Sequence, residues 1–242
     1  MVPAWGPRPT LNTTLTGWLQ GLLWTAGALA LAVAVARAAA WSAFDTAMGR
    51  ESATALVEWR NRDNAMLGIA TAAEIVNLAV FVVVIVWTAK AHRASSGLWW
   101  GQRTWTSGWA VGGWFIPLAH MVIPKLVLTE IERIANAPRP NGVVANPRSG
   151  RVTALGWVWW VSFQVGWVLV TVGSAFTDRR DPWAREGLLR ASYAMGTVGA
   201  AIIAVAGATG ALHVRAIGRR LAPDGIAQRS WRRPPASVAA DG

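Results

Sequence analysis

The sequence predicts an all-α, polytopic integral membrane helix bundle, and three observations carry that prediction. Of its 242 residues, 53% are hydrophobic and only 14% are charged, where a soluble domain carries about a quarter charged residues. The apolar residues fall in long blocks with a positive mean hydropathy, the pattern of helices that cross hydrocarbon. Seventeen tryptophans against a single tyrosine suit indole rings placed at the headgroup boundary.

Residues 1–16, with Pro3, Pro7 and Pro9, read as a mobile tail. The bundle is expected over 17–214, in apolar segments at 17–40, 65–89, 109–128, 152–176 and 188–213. The first, second, fourth and fifth reach the roughly 20 residues needed to cross about 30 Å of hydrocarbon. The first follows Arg8 and has small residues near Ala38 and Ala40, but its apolar run exceeds a signal-peptide core, so a retained span is expected. Asp45 to Asn64, containing EWRNRDN, reads as a charged, mostly helical connector lying on the bilayer surface. PRPNGVVANPRSG at 138–150 is a turn-rich linker, and Thr177 to Glu186 is a short hydrophilic loop. Residues 215–242 read as an arginine-rich, disordered tail.

The third segment is unusual. It carries Pro117 and Pro124, with His120 between them and Lys125 directly after. In a helix each proline would remove one hydrogen bond, freeing the carbonyls of Gly113 and His120 on nearly the same side. A short fifth span is expected here, with a re-entrant dip as the alternative. Lys125 should mark an interface, its stem buried and its ammonium among headgroups. Beyond it Leu128, Ile131 and Ile134 line one side of an amphipathic helix, with Glu130, Glu132 and Arg133 toward water.

The net charge is +11, almost all of the base being arginine. Five crossings with the N-terminus outside, or four with it inside, each place fifteen of the 23 Lys and Arg in the cytoplasm. Both arrangements put the C-terminal tail there, in a bacterial plasma membrane. Retention of basic loops accounts for the charge without nucleic acid as a partner. The expected partners are the bilayer, anionic headgroups met by the C-terminal arginines, and a homo-oligomer or another membrane protein.

Four groups of side chains are candidates for function. Thr71, Glu74 and Asn77 recur at i, i+3, i+6 on one side of an apolar helix. A carboxylate at that depth costs about 2.5–3.5 kcal/mol, so it should face protein or water. A hydrogen-bonded structural acid is the first reading, and a proton or cation relay joined by His120 is the second. Gly196, Ala200, Ala204 and Ala208 form a row of small residues that lets helix backbones approach, as do Ala26, Ala30, Ala34 and Ala38. Bundle packing is the first expectation for these rows, and a dimer contact the alternative. In the fourth segment Trp157, Trp159 and Trp160 fit an aromatic belt, with Trp167 deeper.

Zero cysteines exclude disulfides, thiolate metal sites and cysteine nucleophiles. His92, His120 and His213 stand at no metal-ligand spacing, so neither a metal nor another cofactor is expected. No phosphate loop, nucleophile elbow or paired-histidine helix occurs, and an enzyme is not expected.

The stretch SGWAVGGWFIPLAHMVIPKLVLTEI, with IVWTAKAHR before it and GWVWWVSF after it, resembles an uncharacterised bacterial membrane family, domain of unknown function 4328. Gly113, Trp114, Phe115, Pro117, Pro124 and Lys125 carry the likeness, which is firm over about Ala65 to Gly173. His120 stands where that family often has Asn. The resemblance implies a multi-span protein common in actinobacteria and no established reaction. The sequence therefore points to a non-enzymatic plasma-membrane protein of assembly or envelope maintenance. The alternative is a small transporter or ion-coupled subunit using Glu74, Asn77 and His120.

Overall fold

The computed structural model describes residues 10–50, 52–99, 101–139, 143–175 and 186–222. Its helices are α1 (Thr13–Arg50), α2 (Ala53–Ser96), α3 (Ser107–Gly112), α4 (Ile123–Asn136), α5 (Ala154–Ala175) and α6 (Glu186–Leu221). Single 3₁₀ turns lie at Ala119–Met121 and Pro147–Ser149, and there is no strand among the described residues. Four helices, α1, α2, α5 and α6, are long and apolar enough to cross a membrane.

Three of these helices, α1, α2 and α6, outrun the apolar segments that predict them. α1 starts at Thr13 because Asn12 caps it, its Oδ1 accepting from the Thr14 amide at 2.7 Å. α6 continues to Leu221, so Arg215, Arg219 and Arg220 lie on a helix, and the boundary expected at 214 moves outward. The rest of the expected N-terminal and C-terminal tails, and the loop at 176–185, fall outside the described residues. The connector at Asp45–Asn64 is mostly helical as expected, formed by the end of α1 and the start of α2, but Trp59 and Asp63 within it are buried. Trp59 and Met66, seven residues apart on α2, bury against Ala40, Phe44 and Ala47 of α1 and Leu189 and Tyr193 of α6.

Contacts divide the chain into two compact units. One comprises Gln20–Val82 and Ala154–His213. Within it helices meet at glycines. A Cβ on Gly207 would stand 2.6 Å from the Gly27 Cα, and one on Gly166 would stand 2.8 Å from the Gly199 carbonyl oxygen. In the row of small residues on α6, Ala200 is buried with Val33, Ala34 and Ala73, and the Ala204 carbonyl faces Gly27. The row thus packs inside this unit. Trp159 and Trp160 are also buried, Trp159 lying against His213 with ring centroids 5.7 Å apart. Trp157 and Trp167 are exposed.

The other unit comprises the chain up to Leu19, Val83–Thr153 and the chain from Val214. The Leu11 amide donates to the Leu221 carbonyl at 3.1 Å, Thr16 packs on Gly218, and the Trp87 indole N–H donates to the Thr16 hydroxyl at 3.1 Å. The start of α1 therefore lies beside the end of α6. The segment at 109–128, expected as a short fifth span or a re-entrant dip, is not one helix: it breaks into α3, a 3₁₀ turn and α4. At 1.5 Å per residue α3 rises about 9 Å and α4 about 21 Å, and neither covers a 30 Å core.

The glycine contacts make a sharp comparison. Gly207→Ala should lower stability by about 1–3 kcal/mol, because the added Cβ meets backbone that only helix separation can move. Gly21→Ala, which faces open space, should be neutral or slightly stabilising. Thermal unfolding of the detergent-solubilised protein, followed by tryptophan fluorescence, measures both.

Candidate functional site

Thr71, Glu74 and Asn77 all lie on α2, within the first unit described. Thr71 is exposed and its hydroxyl donates to the Leu67 carbonyl at 2.9 Å. Glu74 is also exposed, and Asn77 is half-buried. Around them Leu67, Ile75, Leu78 and Val82 are exposed, and a Cβ on Gly68 would meet nothing. The first charged residues on either side of Glu74 are Asp63 and Lys90. Their midpoint is about 4 Å along the helix from Glu74, so this carboxyl sits near the middle of the apolar stretch on an uncovered face. His120 belongs to the other unit, half-buried, with its ring 6.5 Å from that of Trp114. Surface depressions lie at Ala38–Thr46 and at Ser42–Arg62, and none of Thr71, Glu74, Asn77 and His120 lines either one.

Two buried polar clusters emerge that the sequence reading does not single out. In the unit of α1, α2, α5 and α6 segments, the Trp59 indole N–H donates to the Tyr193 hydroxyl at 2.8 Å. That hydroxyl donates in turn to Asp63 Oδ1 at 2.7 Å. Phe44 flanks both rings, 5.3 Å from Trp59 and 6.0 Å from Tyr193. The Arg37 guanidinium is buried against Gly196, one turn along α6 from Tyr193. The absence of a side chain at Gly196 makes the room it occupies. Signals for this cluster exist in the sequence. Arg37 is the one charge inside the first apolar segment, Tyr193 is the one tyrosine, and Trp59 and Asp63 share a helix face.

The second cluster holds the broken segment in place. His92 on α2 donates from Nε2 to the Trp105 carbonyl at 2.9 Å, which fixes its neutral tautomer. Arg103 Nη1 donates to the His92 carbonyl at 2.8 Å, the Ser95 hydroxyl at 3.1 Å and the Ser96 hydroxyl at 2.7 Å. Its Nη2 forms an ion pair with Glu130 of α4 at 3.7 Å, and Glu130 accepts from the Thr104 amide at 2.9 Å. Desolvation lowers the Arg103 pKa, and Glu130 opposes that shift. On α4, Glu132 accepts from the Thr153 amide at 2.9 Å and hydroxyl at 2.7 Å.

Lys125 and Glu132 are corrections. Lys125 is buried rather than spread along an interface, and Glu132 is buried rather than facing water. The reason is their spacing: seven residues on α4 bring the two to one side, where each charge partly compensates the other. Burial lowers the Lys125 pKa and Glu132 raises it. Leu128, Ile131 and Ile134 are fully buried, and Arg133 is exposed.

The remaining motif residues shape the break. Gly113 permits the approach of α4, since a Cβ there would stand 2.7 Å from Ile123. Pro124 sits in the first turn of α4, where its missing N–H costs nothing. Pro117 and Phe115 are exposed, while Trp114 is buried. Because no continuous helix runs through Pro117, the two freed carbonyls expected on one helix side are replaced by local turns. Among the described residues no group of three or more His, Cys, Asp or Glu is placed to hold a metal ion.

Four long apolar helices and a broken connecting segment define an all-α, multi-pass membrane protein. A match to the family described as Domain of unknown function (DUF4328) covers residues 50–219, and the chain belongs to that family. Neither a curated protein nor a solved structure matches it.

Tyr193→Phe removes the hydroxyl that bridges Trp59 and Asp63 while keeping the ring in its packing. The expected cost is about 1–3 kcal/mol, because buried polar atoms lose their partner. A lower unfolding midpoint with unchanged membrane insertion is the readout.

Proposed function

We propose that this chain is a non-enzymatic plasma-membrane protein of assembly or envelope maintenance, which works by holding another membrane helix against the outer face of α2. The observation that carries the reading is the exposed Thr71–Glu74 pair near the middle of an apolar helix. Left in lipid, such a carboxyl costs about 2.5–3.5 kcal/mol. Its depth keeps it from reaching the headgroups, so a covering helix with a hydrogen-bonding group offsets that cost. Gly68, with open space beside it and Ala72 one turn further, offers that helix a close approach.

The bond between Leu11 and Leu221 supports a four-crossing topology with both termini on one side. Fifteen of the 23 Lys and Arg then lie at the termini, at the adjoining ends of α2 and α6 and in the segment between α2 and α5, which favours a cytoplasmic location for all three. The C-terminal arginines would there meet anionic headgroups, each worth about 1 kcal/mol. Transport, the alternative, needs Glu74, Asn77 and His120 around one water-filled cavity. An exposed Glu74 on an outer helix face favours assembly instead.

Cross-linking in mild detergent should recover a defined complex from the wild type and lose it in Glu74→Leu, a change that leaves insertion intact. A wild type that is monomeric and without partner would overturn the reading. Equal proton flux in liposomes carrying wild type or Glu74→Gln is expected; a flux lost with the substitution would restore transport. Reporter tags at the N-terminus, Asn146 and the C-terminus should report the cytoplasm, and one at Ser52 the opposite side.

A further inference from the structure

We infer that Trp109–Val122 is a re-entrant wedge that enters the acyl-chain region of a single leaflet, on the side where Leu11 and Leu221 meet, and returns without crossing. Its surface is apolar and uncovered: Trp109, Val111, Phe115, Ile116, Met121 and Val122 are exposed, and Leu118 is 83% exposed. No Asp, Glu, Lys or Arg occurs between Arg103 and Lys125. The charges stand at the base, where Arg103 meets Glu130 and Glu132 holds Thr153. The Trp105 and Trp109 rings, at 6.2 Å in an edge-to-face pair, also lie at the start of the wedge, where indoles favour the headgroup boundary.

Much of the backbone is suited to lipid as well. Irregular chain in hydrocarbon needs its amides satisfied locally. Gly113, Trp114 and Phe115 donate to the Trp109, Val111 and Gly112 carbonyls, and His120, Met121 and Val122 donate to those of Ile116, Leu118 and Ala119. Pro117 and Pro124 carry no amide hydrogen to satisfy. The prolines that prevent a through-going helix thus lower the cost of turning round inside the leaflet.

The occupant of this surface is lipid and not a soluble partner. The wedge lies on the connection between two membrane-length helices, α2 and α5. Its exposed tip also lacks the polar rim that surrounds a docking patch in water. α3, about 9 Å long, carries the chain part of the way into a leaflet half of a 30 Å core.

The cysteine-free chain allows a direct test. The full-length protein carrying Leu118→Cys, and separately Met121→Cys, is labelled with an environment-sensitive fluorophore and reconstituted in liposomes. Arg148→Cys, exposed beyond α4, is the reference. Both tip labels should be quenched at least threefold more by acyl-chain nitroxide lipids than the reference, and at least threefold less by aqueous iodide. Iodide quenching equal to the reference would overturn the inference, as would protection from both quenchers, which means a protein covers the tip. Quenching by iodide confined to the opposite side of the vesicle would overturn it too, because the segment would then cross.

Discussion

The hydrogen bond from the Leu11 amide to the Leu221 carbonyl, with Thr16 packed on Gly218 one turn inside it, ties the first helix to the last. In the proposed topology two membrane-length helices joined in this way begin and end on the same side, and the chain between them returns to that side. Four crossings, the proposed topology, satisfy the condition. The prolines of the 109–128 segment acquire their meaning from this closure. By themselves they say only that a helix breaks. The closure is what supports the proposed return of the broken segment to its own side.

A second constraint is that charge in a bilayer protein has to be compensated. Arg103 meets Glu130 and three acceptors at the end of α2, Glu132 lies near Lys125 and holds Thr153, and Asp63 accepts from Tyr193. Each arrangement offsets a desolvation cost that an isolated charge could not bear. Glu74 differs, being exposed on a face otherwise made of Leu67, Ile75, Leu78 and Val82. That contrast within one chain, more than any motif, is what supports the proposed association at α2.

The four long helices were legible because a run of apolar residues states its own solvent. Their ends were not. Hydropathy marks where hydrocarbon stops, whereas α1 and α2 continue beyond it, since Phe44, Trp59 and Tyr193 supply an apolar contact built from three distant stretches. For the same reason Asp45–Asn64 reads as surface chain when each helix is considered alone. Arg37 and the lone tyrosine were visible as oddities, but their neighbourhood was not, because Gly196 lies across the bundle on another helix. The break at Pro117 was legible from backbone chemistry. The burial of Lys125 needed Glu132 seven residues away, a pairing that an exposed-face reading of α4 hides. The Thr71, Glu74 and Asn77 stripe was legible as a stripe; which way it faces is decided by packing on the other sides of α2.

The unit that contains Leu11, the 83–153 stretch and Leu221 has consequences for biogenesis. It is assembled from both extremes of the polypeptide, so its closing bond has no acceptor until α6 has been synthesised. The nascent chain must therefore hold the start of α1, with the Leu11 amide unsatisfied, while three more helices are inserted. Truncation just before Leu221 would delete the acceptor and leave the first helix without its clasp, however well the other spans were integrated.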